Sequence, residues 1–377
     1  MRSPIISIII ICKLLFFTCS QTYSWGNSGH KVIHRKAVIH LPTGMNFFKA
    51  ESLFFEKHSV DANSRINYSD TSLYAEWPRH YFNIDDYPNW GSLTHNIDSL
   101  IMNFGKQRIQ QDGTNPWAIK WMLDSLTAQL TRKDLVTAKF TASDLGHYIS
   151  DAYEPLHCTI NSNGQFTGNH GIHYRYEYGM IDTFNSWINF QPASVQYINF
   201  PVNFTFDCII NSNSLVNQIL EADNYSKLVS GWNGIGIPPR SYYDTLWYFT
   251  RGFTESQFKD ASLAIASLWY TAWINSGMSH ADDNIIMNLP RTITLNQNYP
   301  NPFNSTTQIS YSLHSSQFIR LSIYDVLGRE VKSLLSEYKT TGKHSVIVTA
   351  DDLPSGVYFY RISTSDLHET KKFSLIK

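Results

Sequence analysis

The apolar period of the chain changes near residue 290, and one fold cannot serve both periods. Upstream, "WAIKWMLDSLTAQLT" (117–131), "DLVTAKFTASDLGHYISDAYEP" (134–155) and "FKDASLAIASLWYTAWINSG" (258–277) place apolar residues three and four apart. That spacing predicts helices, the second ending at Pro155 and the third at Gly277. Long polar and aromatic loops are expected at 160–172 and 190–245. Downstream, "LNQNYPNPFNSTTQISYSL" opens with a Pro/Asn turn cluster. "IRLSIYDV", "HSVIVTA", "GVYFYRIS" and "KKFSLI" then alternate apolar and polar residues, which predicts strands. The expected architecture is a mainly α-helical domain at 25–284, a linker at 285–293 and a small β-sandwich at 294–377.

Residues 1–24 have the form of a secretory signal peptide. Arg2 supplies the positive start, "IISIIIICKLLFF" the apolar run, and "SQTYS" a polar end closing on Ser24. The run is too short for a membrane span, and Lys13 breaks it. A chain cut there begins at Trp25, in "WGNSGH", with His30 five residues on. Cys12 and Cys19 leave with the signal. Cys158 and Cys208 remain, and an oxidising compartment would allow them to pair or stay free. The net charge of −1 argues against a partner held mainly by bulk electrostatics, such as duplex DNA or an anionic membrane surface, and leaves room for a local basic patch.

Four stretches of the helical part carry metal-ligand residue types at metal-ligand spacing. In "HYISDAYEPLH", His147 and Asp151 share a helix face, and His157 follows on the turn after Pro155. In "HYRYE", His173 and Glu177 repeat the spacing of four. "RHYFNID" offers His80 and "HSVDANSR" offers Asp61. Each alone has an ordinary structural explanation, such as a packed histidine or a helix-surface pair. Imidazole with carboxylate and without thiolate suits catalytic zinc. The set is too large for one ion, and a carboxylate placed as Asp151 is can bridge two.

This set, in this order, resembles the superfamily of bacterial zinc-dependent phospholipase C and the single-strand-specific zinc nucleases of fungi and plants. The resemblance spans residues 25–280. It implies a mostly α-helical domain holding three zinc ions in a cleft. By that resemblance Asp61, His80, His147 and Asp151 hold one zinc, and His157, His173 and Glu177 hold a second. The amine and carbonyl of Trp25, with His30 and a bridging Asp151, hold the third. Asp61 and Asp151 are the implied catalytic carboxylates. Arg65, four residues after Asp61, is a candidate for binding the substrate phosphate. His170, in "GNHGIH", rivals His173, which alone has an acid four residues on. His34 receives no role.

The activity implied is phosphodiester hydrolysis by a zinc-bound water. Glu177 and its "HYRYE" context point to the phospholipase C branch. A single-strand-specific nuclease or nucleotidase is the alternative, since 14% aromatic residues supply stacking surface. A non-catalytic surface protein stabilised by zinc is a second alternative. The C-terminal stretches "NYPNPFN", "IYDVLGREV" and "LPSGVYFYR" resemble the sorting domain of type IX secretion substrates. That implies the type IX machinery as partner and the medium or cell surface as destination. Nothing in the sequence points to an obligate protein partner.

Overall fold

The computed structural model describes residues 25–278, 293–313, 317–340, 342–350, 352–364 and 368–377. The expected signal peptide and nearly all of the expected linker lie outside the described residues. Six helices of twelve or more residues carry the first domain: α1 (Gly26–Ala37), α2 (Asn115–Thr131), α3 (Leu135–Ala152), α4 (Pro201–Asn213), α5 (Val216–Ser230) and α6 (Arg240–Asn275). The helix expected at 258–277 is the second half of α6. The region 190–245 is not one long loop, because α4, α5 and the start of α6 lie in it. Their buried apolar residues, such as Phe206 and Ile209, or Val216, Ile219 and Leu220, form narrow stripes among Asn, Ser and Thr. So thin a stripe gives a weak period.

α3 is the axis of this domain. Every residue from Leu145 to Ala152 is buried, polar ones included, so protein surrounds this stretch of the helix. α1 lies so close that a Cβ on Gly146 would fall 2.6 Å from His34 Nε2. α6 is tied to α3 where the Trp269 indole donates to Ala142 O at 3.0 Å. The Trp25 indole donates to Ser150 O at 2.8 Å, which fixes the start of α1 against the same helix.

The second domain is a sandwich of two antiparallel sheets. One has the order β1 (Ile293–Leu295), β2 (Thr306–Leu313), β5 (Gly342–Thr349). The other has the order β4 (Glu330–Lys339), β3 (Gln317–Tyr324), β6 (Gly356–Ser363), β7 (His368–Leu375). Alternation supplies its core: Ile309, Tyr311 and Leu313 from one sheet, Ile319, Leu321, Ile323, Tyr360 and Ile362 from the other. Ile293 already belongs to β1, one residue before the expected start at 294.

The two cores are separate clusters of buried residues. A chain ended at residue 284 is therefore expected to keep the thermal midpoint of the helical domain within about 4 °C, the shift that ~1 kcal/mol gives a domain of this size. Calorimetry of the full and shortened chains checks this. A larger drop would mean that the sandwich supports the helical core.

Candidate metal centre

Two groups of buried imidazoles and carboxylates hang from the C-terminal end of α3. The first surrounds Asp151. His30, from the second turn of α1, places Nε2 at 3.3 Å from Asp151 Oδ1. His80, from the short 3-10 turn Trp77–His80, places Nδ1 at 3.1 Å from Asp151 Oδ2. His147, one turn back on α3, places Nε2 at 3.5 Å from the same oxygen. The His30 and His147 rings stack with centroids 4.0 Å apart. His147 Nδ1 faces Ser59 O at 2.7 Å, so it carries the proton and Nε2 keeps its lone pair toward the group.

The second group follows the helix end. Pro155 stops α3, and the Pro155–Cys158 turn brings His157 back under it. His157 Nδ1 donates to His80 O at 2.5 Å, which joins the two groups and leaves Nε2 with a lone pair. Ile172–Tyr174 and a π-helical turn, Arg175–Met180, bring in His173 and Glu177. Such wide turns occur at functional sites, since they re-aim side chains. Glu177 Oε1 accepts from Gly26 N at 2.9 Å, so this group touches the start of α1.

Sequence reasoning missed a member. Glu154 lies with His157 and His173, their ligand atoms within 4.8 Å of one another. One of its oxygens accepts from His157 N at 2.8 Å. The signal was an acid directly before the helix-ending Pro155, where helix termination explained it already. A second neighbour, Glu76, sits 3.6 Å from His80 Nε2 and takes a hydrogen bond from the Tyr148 hydroxyl.

The electrostatics suit metal ligation. Burial holds His157 down to about 4 and lowers His147 and His173, so these imidazoles are neutral at pH 7. Burial alone would raise Asp151, but the imidazoles of His147, His30 and His80 gathered around it bring it below the ordinary carboxylate range. Burial lowers His80, yet Asp151 and Glu76 beside it outweigh that and raise it. Burial pushes Glu154 up to about 8 and Glu177 well above its ordinary value. In both, burial outweighs what lowers them: His173 and backbone N–H groups beside Glu154, and the Gly26 N–H at Glu177.

Whether zinc fits can be judged from atoms that have no other task. His80 Nε2, Asp151 Oδ1, Glu154 Oε1, His157 Nε2, His173 Nε2 and Glu177 Oε2 are buried without a hydrogen bond. Leaving that many buried polar atoms unsatisfied costs about 1–3 kcal/mol each. His173 Nε2 and Glu177 Oε2 lie 2.8 Å apart, yet without hydrogen-bond alignment. That is the geometry of two donors turned toward a third point. The set fits one or more divalent cations.

The remaining expected site residues are placed otherwise. Asp61 is in neither group: its side chain is 41% exposed and bonds to His58 Nδ1 at 2.6 Å. The cause is local, since the 3-10 turn Asp61–Arg65 starts one turn after His58 and the pair closes on itself. Arg65 is matched by Asp144 at 2.9 Å and Glu76 at 3.4 Å. His34 lies between two carbonyls, His30 O and Ser143 O, and its one N–H bonds to one of them. His170 is exposed, and His173 is the one inside. Cys158 and Cys208 are separate buried thiols.

If Glu154 is a ligand, Glu154→Gln should weaken zinc binding about tenfold or more, the scale on which metal sites respond to altered partners. Competition against a chromogenic chelator measures this without any substrate. Wild-type affinity would remove Glu154 from the site.

Residues 297–377 match the family model for the secretion system C-terminal sorting domain. This type IX sorting domain marks the chain for secretion or the cell surface. No curated protein matches the chain in sequence. Among solved structures, the alpha-toxin of Clostridium perfringens from avian strain SWCP superposes with a TM-score of 0.43 at 12% identity, over 94% of this chain and 99% of the toxin. The alpha toxin of Clostridium absonum gives 0.39 at 10%, over 94% and 100%. Both scores lie below the level at which a shared fold follows.

Proposed function

We propose that the helical domain is a zinc-dependent phosphoesterase of the phospholipase C kind, carried on an exported chain. The observation that supports it most is the convergence of His80, Asp151, Glu154, His157, His173 and Glu177 with buried ligand atoms left over. Zinc bound there supplies Lewis acidity toward a phosphoryl oxygen and a water of lowered pKa. The chain's own part is to hold the ligands ready. Ser59 O and His80 O fix the protons of His147 and His157 on Nδ1, so each ring presents Nε2. Asp151 stays ionised between three imidazoles. Burial favours the protonated form of Glu154, and a cation held beside it would favour the carboxylate. Asp61 completes the implied ligand set only by turning away from His58, and Arg65 reaches a phosphate only by leaving a carboxylate.

Trp25 supports the proposed start of the mature chain. Its φ of 28° is a left-handed value that costs a non-glycine residue about 1–3 kcal/mol. A chain that begins at Trp25 has no φ there, and its amine is freed as a donor. The lone pair of an amide nitrogen is delocalised and cannot substitute.

The test is hydrolysis of bis-p-nitrophenyl phosphate by protein beginning at Trp25. The rate should vanish with chelator and return with zinc, with about three zinc equivalents bound, as the ligand count suggests. Phosphatidylcholine should be cleaved faster than single-stranded DNA; the reverse order would select the nuclease reading. Absence of any zinc-dependent hydrolysis, with zinc still raising the thermal midpoint, would leave a zinc-stabilised surface protein.

Two variants probe the centre itself. Asp151→Ala should cost more activity than Glu177→Ala, at least about tenfold more, because it disturbs both proposed ions. A form extended to Met-Trp25 should bind one zinc fewer and turn over slowly. Full zinc and full rate in that form would rule out the amine as a ligand.

A further inference from the structure

We infer that the tip of the α5–α6 hairpin, residues 228–239, seats the enzyme on the surface of a phospholipid bilayer. The inference rests on the phospholipase reading and adds how the substrate surface is met. The tip sequence, "LVSGWNGIGIPP", has no charged residue. Leu228 is 77% exposed, Ile235 78% and Ile237 93%. Aliphatic side chains bared to that degree at one turn are unusual on a surface meant only for water. Gly231, Gly234 and Gly236 hold positive φ, which lets the turn present both isoleucines outward. The Trp232 indole donates to Ile235 O at 2.8 Å and so stiffens it.

Behind the aliphatic tip stand aromatic and paired charged residues. Tyr225 and Phe249 meet edge to face at 5.0 Å, with Tyr248 beside them, all exposed. The charged residues at the two ends of the tip are paired, Lys227 with Asp223 at 2.5 Å and Arg240 with Asp244 at 2.7 Å. An uncharged apolar tip, with exposed aromatic residues on the two helices behind it, matches hydrocarbon and interface. A single nucleic acid strand fits less well. Bases stack on rings, and the most exposed residues here are isoleucines and leucine. Among the described residues no helix is long and apolar enough to cross a membrane.

The tip is coupled to the metal centre. Arg175 lies two residues from both His173 and Glu177. Its guanidinium donates to Asp223 of α5 at 2.8 Å, to the Tyr242 hydroxyl of α6 at 2.9 Å and to His170 O at 2.7 Å. It also lies over the Trp232 ring at 5.3 Å. Asn169 Nδ2 donates to Leu220 O and Asp223. One buried cation thus ties the membrane-facing turn to the ligand-bearing turn.

The test is co-sedimentation with phosphatidylcholine vesicles containing a minor share of phosphatidylglycerol, in chelator so that no lipid is cut. The Ile235→Ser, Ile237→Ser double variant should bind about tenfold less or weaker, as expected when two buried apolar side chains are lost. Its hydrolysis of soluble bis-p-nitrophenyl phosphate should not change, which separates this idea from the phosphoesterase reading. Ile237→Trp should add an emission component that shifts blue on adding vesicles. Wild-type vesicle binding by the double variant, or no blue shift, overturns the inference. So does a loss of single-stranded DNA binding with vesicle binding intact.

Discussion

A single buried carboxylate organises the helical domain. Asp151 has no exposure, and an isolated ion there would be prohibitively costly. Three imidazoles make it tenable: His30 at 3.3 Å, His80 at 3.1 Å and His147 at 3.5 Å. They come from three different elements, α1, the Trp77–His80 turn and α3. The requirement to surround one charge therefore decides how those elements meet. It also explains why α3 is buried on every face from Leu145 onward, where an amphipathic helix would keep a wet side.

Closeness follows from that demand, and small residues provide it. Gly146 lets His34 of α1 lie against α3, and the added methyl of an alanine would strike the ring. His34, set against Ser143 O, and Trp25, bonded to Ser150 O, then act as fasteners on the buried helix. The second group needs no further helix packing. It is generated by the chain leaving α3: Pro155 ends the helix, the next turn returns His157, and His157 Nδ1 closes on His80 O. One helix end thus sets both groups.

The parts of this plan that are legible in sequence are those with a period or a fixed spacing. The helices at 117–131 and 134–155, and the alternation after 290, follow from apolar order. His147 with Asp151, and His173 with Glu177, follow from the turn of a helix. What escapes is whatever depends on burial across the chain. Glu154 before Pro155 is indistinguishable from a helix-end acid until the structure buries it. Asp61 has the right residue type, but His58 one turn away competes for it locally. The helices within 190–245 escape because their apolar stripes are thin. Ile235 and Ile237 look like loop filler between glycines, and only their exposure gives them meaning.

The order of events at the N-terminus follows from the packing. The Trp25 ring meets Phe258 of α6 edge to face at 4.6 Å and Tyr176 at 6.0 Å, and it has no exposed surface. Gly26 is buried too, its N–H already given to Glu177. A peptidase needs an extended, accessible stretch of chain on both sides of the bond it cuts. Such a stretch does not exist around Trp25 once α1 has docked. If the mature chain starts at Trp25, the cut precedes the docking of α1 against α3, and a terminal amine is present when the ligands first converge. The sandwich at the other end has its own core and imposes no such order, so it can serve as an export tag on a domain whose candidate metal site is assembled separately.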